Sequence, residues 1–455
     1  MEDIHLKGLI GTKMSPLWEA LPEVTLASIF SYLHPRERLK MKYVCQAWHR
    51  VLTVPQVWKY FTHLGDNECT ESNLSQDESL KLDLISCIND YGRHFRHVKV
   101  TFCDSDSFDI FTAISNVCSN IESIALCNDG KIAFPKGFRS LIHDFLQKNI
   151  HLKTVQMRGL TFTPASNNDP LPIGLQHCQT LQKLSLVNSF PSYSVSSLMY
   201  LVHLRELALD YNHVHYSLIK HLAGASLTKL SIRLHPKKQR LNNLSEEQWQ
   251  DLARHKQLRV YFHVKVLGDL DEDLFKPSIP LVSLVLMTLT SLHYDKLCDT
   301  LANYGNTLEE FVDYNVLAPS CRHDEEDVTS SYNTSIVKMV QTCPRLHTLG
   351  MRDVLSSSTL LIVVFLNKKL QNVYVQAEMV RFRFHVPDEM LVPQEAIDFA
   401  QANWTEERMA TAVSSCLGRE WNLMSKNDYV ETVAKEHDLI VGKRHIYFID
   451  NSNSC

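Results

Sequence analysis

Leu181-Gln182-Lys183-Leu184-Ser185-Leu186, Leu204-Arg205-Glu206-Leu207-Ala208-Leu209 and Leu227-Thr228-Lys229-Leu230-Ser231-Ile232 are three turns of one repeating pattern. Each puts apolar residues at its first, fourth and sixth positions. The last two alternate, as residues on one face of a β-strand do. The spacing recurs upstream at Ile121-Ile124-Leu126 and Leu152-Val155-Met157. Downstream it recurs at Leu258-Tyr261-His263, Leu281-Leu284-Leu286, Leu308-Phe311, Leu346-Leu349-Met351 and Leu370-Val373-Val375. Successive units start 23 to 31 residues apart, with one gap of 38. One such unit cannot bury its own apolar edge, whereas stacked neighbours bury a continuous core and pair their strands in parallel.

The period is close to the roughly 20–29 residues of a leucine-rich repeat. It predicts an α/β chain in which residues 98–377 form an irregular leucine-rich-repeat solenoid, with parallel strands on the concave face and helices outside. An ordinary α/β domain of alternating strands and helices is the competing architecture, and self-similarity at a near-fixed period favours the solenoid. Asn128, Asn188 and Asn212 lie just behind their strands, where a side-chain amide can satisfy loop backbone. Residues between the inward leucines are expected on the open strand face. Examples are Gln156, Ser185, Ala208, Asp210, Ser231, Arg233 and Val285. Their mixed chemistry names no ligand. The long gap holds Cys321-Arg322-His323-Asp324-Glu325-Glu326-Asp327, a polar surface loop by composition.

Outside the repeats the pattern changes. Residues 14–61 carry apolar positions at helical spacing: Val24, Leu26, Ile29, Phe30 and Leu33, then Leu39, Tyr43, Val44 and Trp48 after Pro35. A second helix is expected from Pro22 and a third from Arg36 to about Val51. Residues 62–97 read as a polar linker followed by a connecting helix from Leu80. Residues 378–455 drop the repeat and read as a C-terminal capping region, with one helix stopping at Gly418.

Composition removes several classes of function. The net charge is −5, so nucleic acid is a poor partner. The 12 cysteines are scattered singly, with no CxxC and no zinc spacing, and read as buried reduced thiols. No basic start with an apolar run marks a secretory leader, and the longest apolar run, Leu360 to Leu366, is too short for a membrane span. Phosphate loops, HExxH, GxSxG and kinase signatures are absent from the sequence. Cys321 lies among acids that disfavour a thiolate, so a thioester-forming enzyme is a remote reading. His235-Pro236-Lys237-Lys238-Gln239-Arg240 is the main basic cluster, a solvated loop or a contact for an acidic partner. After it, Ser245-Glu246-Glu247-Gln248 reads as a capping box opening a helix with Trp249 and Leu252.

Leu21-Pro22-Glu23-Val24, Ile29-Phe30-Ser31-Tyr32-Leu33, Val44-Cys45-Gln46-Ala47-Trp48 and Val57-Trp58 follow one another in the helical block. They resemble the F-box, whose pattern runs LPxE, IFxxL, VCxxW and LW. Lys40-Met41-Lys42 stands where a small residue is common, and Val57 where Leu is usual. With repeats behind it, the chain resembles the F-box/leucine-rich-repeat substrate receptors of Skp1–cullin–F-box ubiquitin ligases. Arg259-Val260-Tyr261, Lys276-Pro277-Ser278-Ile279-Pro280-Leu281 and Trp421 resemble the F-box-only branch with degenerate repeats. The resemblance implies a non-catalytic adaptor without cofactor or metal, cytoplasmic or nuclear, and off the membrane. Its partners would be a Skp1-type adaptor, through it a cullin–RING ligase, and a protein substrate. The implied adaptor-binding residues are Leu21, Pro22, Glu23, Ile29, Phe30, Leu33, Val44, Cys45, Trp48 and Trp58. The rival expectation is a repeat scaffold outside any ligase, with the helical block as a plain cap.

Overall fold

The computed structural model describes residues 21–64, 74–128, 132–135, 137–160, 173, 175–187, 195–234, 244–266, 274–288, 294–314, 326–351, 353–387 and 392–436. The chain divides into two compact units, Met1–Leu181 with Ser189–Ser192, and Gln182–Asn188 with Tyr193–Cys455. Among the described residues the first unit holds four parallel strands and the second eight, each set in the chain order of a leucine-rich-repeat sheet.

The first unit opens with helices α1 (Glu23–Tyr32), α2 (Pro35–Met41) and α3 (Gln46–Val51), then a 3-10 turn, Pro55–Trp58. Strand β1 (Tyr60–Leu64) follows directly, then α4 (Leu74–Tyr91), β2 (His97–Phe102), α5 (Asp106–Val117), β3 (Ser123–Asn128), α6 (Phe138–Lys148) and β4 (Thr154–Arg158). The strands pair in chain order, with Val98 beside Ile124 and Ile124 beside Val155. Residues 62–97 are therefore not a linker followed by a helix from Leu80. The strand begins inside the expected helical block, and α4 begins at Leu74. The strand was illegible because Tyr60-Phe61-Thr62-His63-Leu64 lacks the leucine spacing. Its register with β2 makes it the first strand of the solenoid.

Inward residues form the core. Val98, Val100, Phe102, Ile124, Leu126, Val155 and Met157 are all at most 3% exposed, each such side chain contributing about 1.5–3 kcal/mol. Phe102 and Phe138 meet edge-on at 5.2 Å, and Phe134 and Phe138 stack at 5.1 Å, filling the end of this core. Asn128 donates to the Ile132 carbonyl at 3.1 Å, as its position suggested. The stronger device was missed. Asn149, wholly buried, accepts from the Ile121 amide at 3.0 Å and donates to the carbonyls of Cys118 and Phe145. It closes its own helix and ties it to the preceding turn. Its sequence signal is an Asn three residues before the first leucine of a repeat, and Asn367 before Leu370 repeats it, donating to Leu346 at 2.9 Å.

The second unit continues with β5 (Lys183–Val187), β6 (Glu206–Asp210), α7 (Tyr216–Ala225), β7 (Lys229–Leu234), α8 (Glu246–Ala253), β8 (Arg259–Val266), β9 (Leu281–Thr288), α9 (Tyr294–Ala302) and β10 (Glu310–Tyr314). Then come α10 (Glu326–Thr342), β11 (Thr348–Met351), β12 (Leu355–Ser356), α11 (Ser357–Leu366), β13 (Asn372–Val375) and β14 (Val380–Arg381). Ser245 caps α8 reciprocally with Gln248, and Trp249 and Leu252 are buried, as the capping box implied. One repeat is corrected. Val260, Phe262 and Val264 are the buried residues of β8, and Tyr261 and His263 turn the other way. Leu258 precedes the first inward residue by two positions instead of three. A bulge against β9 at Val260/Tyr261 restores the register, so that Phe262 pairs with Leu284.

The tail does three things. Helices α12 (Gln394–Asn403) and α13 (Glu406–Leu417) pack on α11, whose Leu360 to Val364 are at most 1% exposed. Gly418 ends α13 in the left-handed region at φ 67°, where Gly avoids a Cβ penalty. Residues 419–424 then follow the free edge of β13. Trp421 Nε1 donates to the Val373 carbonyl at 2.7 Å, and Met424 exchanges backbone bonds with Val375 and Ala377. This blunts a sheet edge that would otherwise offer itself to another chain. Finally α14 (Lys426–Glu436) lies on the strand face, burying Tyr429, Val430 and Val433 against Val285, Val312 and Tyr374. Val285, expected on the open face, is therefore covered. Cys321, His323, Asn188, the 235–240 cluster, the chain start and residues 437–455 lie outside the described residues.

Candidate docking face of the N-terminal helical block

The block is built around one buried cation. Arg38 sits on α2, a short helix opened by Pro35 and by His34, whose ring nitrogen accepts from Arg36 while its amide donates to Glu37. The guanidinium is 3% exposed. It donates to the carbonyls of Leu33 at 2.8 Å, Ser31 at 2.9 Å, Val57 at 2.7 Å and Tyr60 at 2.8 Å. Two of those carbonyls belong to the end of α1, where helices leave acceptors unsatisfied. The other two belong to the 3-10 turn and the start of β1. One side chain thus ties three segments together. Burial pushes its pKa down to about 10, leaving it charged at neutral pH.

Packing completes the block. Leu26, Ala27, Phe30, Val51, Leu52, Val57, Trp58 and Phe61 are at most 3% exposed. Phe30 meets Trp48 edge-on at 5.1 Å. Trp58 donates to the Leu52 carbonyl at 2.6 Å and stacks on Tyr91 of α4 at 4.5 Å. The block is therefore fastened to the repeats of its own unit and does not hang from a linker. The single helix expected from Arg36 to Val51 is two: α2 and α3 are separated by Lys42–Cys45, where Tyr43 and Val44 are exposed. Apolar spacing runs on through the break, so the pattern could not reveal it.

The ten adaptor-binding residues implied by resemblance divide into two sets. Phe30 and Trp58 are inside, at 1% and 0% exposure, and hold the block together. Pro22, Glu23, Ile29 and Val44 are exposed, and Leu21, Leu33, Cys45 and Trp48 are half-buried. Three exposed apolar residues were not singled out for docking: Val24 at 73%, Tyr32 at 88% and Tyr43 at 78%. Val24 and Tyr32 face away from Leu26, Ala27 and Phe30, so α1 is apolar on both sides. An apolar residue on the wrong face of a short amphipathic helix is the signal that could have found them.

The F-box-like family matches residues 18–63, the block just described. F-box/LRR-repeat protein 21 of Mus musculus is 22% identical over 427 residues, covering 89% of both chains. The protein of that name from Bos taurus is 21% identical over the same length and coverage. That from Ovis aries is 22% identical over 285 residues, covering 59% of this chain and 64% of the relative. Residues 18–63 thus match the F-box-like family, and the chain is similar to F-box/LRR-repeat proteins over most of its length. The matched block is where packing, capping and the Arg38 hub converge.

The other expected chemistry is thin. Among the described residues no group of three or more His, Cys, Asp or Glu could hold a metal ion, and no helix is long and apolar enough to cross a membrane. Burial pushes the thiols of Cys87 and Cys118 up to about 12, far from a reactive thiolate. On the strand face Ser185, Ala208 and Ser231 are half-buried, and Asp210 is 5% exposed.

Proposed function

We propose that this chain is the substrate-recognition subunit of an SCF-type E3 ubiquitin ligase. Its F-box docks on a Skp1-type adaptor and so joins a cullin–RING ligase, and its repeats hold a protein substrate. Catalysis belongs to the recruited partners, and the chain acts by raising the effective concentration of substrate beside them.

The observation that supports this reading is the bare apolar surface of an otherwise well-packed block. Val24 and Tyr32 on α1, and Tyr43 and Val44 in the Lys42–Cys45 break, are 56–88% exposed, while Leu26, Ala27, Phe30 and Val51 of the same block are sealed. Exposed apolar surface rimmed by polar residues marks interaction sites in folded proteins. In this reading Leu21, Pro22, Ile29, Val44 and the accessible part of Trp48 meet the adaptor, joined by Val24, Tyr32 and Tyr43. Phe30 and Trp58 act from beneath by fixing the helices. Glu23 lies in the first turn of α1, where a carboxylate suits the helix dipole. For the substrate, the strand face of β5–β8 is the part of the second unit's sheet that α14 leaves uncovered among the described residues.

The test is co-purification of the full chain with a Skp1-type adaptor and cullin from cells. The proposal requires both to be retained, and to be lost from a Leu21→Ala, Pro22→Ala, Val44→Asp variant whose circular dichroism is unchanged. Retention by that variant, or no retention by the intact chain, overturns it.

A further inference from the structure

We infer that the strand face across β9, β10 and β13 is a docking groove for an amphipathic helix, which α14 fills in the resting chain. The inference goes beyond the ligase reading and holds even if the F-box docks on nothing.

The composition of the face changes along the unit. In the row of the sheet that leads to Val285, the outward positions on β6, β7 and β8 are Asp210, Arg233 and His263, all polar. From β9 onward they become Val285, Val312, Gly350 and Tyr374, running in register from strand to strand. Gly350 gives the groove its depth. A Cβ there would lie 2.7 Å from Val312 Cγ1 and 3.1 Å from the Tyr429 hydroxyl. Helix α14 presents Tyr429, Val430 and Val433, the i, i+1 and i+4 positions of one stripe. They are 0–2% exposed, with Met287 and Met424 at the margin. The Tyr429 hydroxyl donates to the Asp313 carbonyl at 2.7 Å, adding direction to an apolar seat.

The seat holds α14, and α14 does not hold itself. Its described part runs Lys426–Glu436, and an amphipathic helix in a protein takes most of its stability from the face it packs. Its helicity is therefore coupled to docking. The tether through residues 419–424 keeps it near the groove at an effective concentration on the order of millimolar. A partner protein displaces it by offering a helix with the same stripe, an aromatic hydroxyl followed by branched aliphatics at i+1 and i+4, with polar residues opposite. The chain's own helix thus defines the chemistry of its competitor.

The test uses a fluorescent peptide of residues 424–437, titrated against the full chain and against the full chain carrying Val430→Asp and Val433→Asp. The unseated chain should bind the peptide at least about 30-fold more tightly than the intact chain. Adding Val312→Asp should abolish that binding. Equal binding by both chains, or no binding by an unseated chain with unchanged circular dichroism, overturns the inference. If the substituted chain does not fold, hydrogen exchange on the unmodified chain decides. The amides of α14 should exchange at least about 100-fold faster than those of buried α11, and equal protection overturns the inference.

Discussion

Val24, Tyr32, Tyr43 and Val44 stand 56–88% exposed in the F-box, whereas Val285, Val312 and Tyr374 of the repeats are 0–6% exposed beneath α14. Both sets are apolar side chains turned outward from well-packed surroundings. In the repeats the chain supplies a helix of its own to cover them. In the F-box nothing among the described residues does, although α1 seals Leu26, Ala27 and Phe30 on its opposite side. Apolar area left in water forgoes about 25 cal/mol per Å². The proposed adaptor would recover in trans on the bare side chains what α14 recovers in cis on the covered ones.

The largest break in that comparison comes from beneath the bare face. Arg38→Met leaves four buried or half-buried carbonyls without their donor, which should cost about 3–5 kcal/mol of stability. Urea unfolding of the full chain, followed by hydrogen exchange over residues 23–64, measures it. Loss confined to a few tenths of a kcal/mol would mean that the hub is incidental.

On the covered face, Val312→Asp should cost about 2–3 kcal/mol, less than an enclosed core charge because α14 can lift away. Raised binding of a hydrophobic dye should accompany it. On the bare face, Tyr32→Ala with Val24→Ser should change stability by less than about 0.5 kcal/mol, which the same unfolding curves would read. That contrast is the sharpest form of the comparison. Equal stability losses on both faces would show that the F-box face is covered after all.

The smallest effect is on pH. His177 is 1% exposed and its Nε2 bonds to the Leu146 carbonyl at 3.0 Å. Burial holds the imidazole below its usual range, with the carbonyl contacts opposing more weakly. The unfolded chain therefore takes up the proton first. The contribution to stability is whole above the unfolded value near 6.5 and is lost as pH falls through it. His177→Gln should flatten the fall of stability as pH drops below about 6.5, measured by thermal melts on both sides of that value.

The repeats were legible because leucine spacing is a local signal that recurs, so single failures did not hide the rule. Leu258 shows the limit. One residue lost before β8 put Tyr261 and His263 where the pattern expected inward residues, and the compensating bulge is visible only in the pairing with β9. The F-box was legible through Leu21-Pro22, Ile29-Phe30, Val44-Cys45 and Trp48, landmarks whose order carries the information. What those residues do was less legible. Phe30 and Trp58 match the pattern as strongly as Val44 yet lie inside. Arg38, a charged residue in a polar heptapeptide, gives no sign that it is buried, because its partners are backbone carbonyls up to 22 residues away. The cover over Val285 depends on Tyr429 and Val433, which are remote in sequence, and no local pattern encodes such a contact.

In the proposed reading the exposed apolar side chains of the F-box meet another protein. Titration of a purified Skp1-type adaptor onto the immobilised full chain, beside a Val24→Asp, Val44→Asp variant of equal melting temperature, tests it directly. Saturable binding to the intact chain is expected, with at least about 100-fold weaker binding to the variant, roughly 2.7 kcal/mol. Equal affinity for the two chains would contradict it.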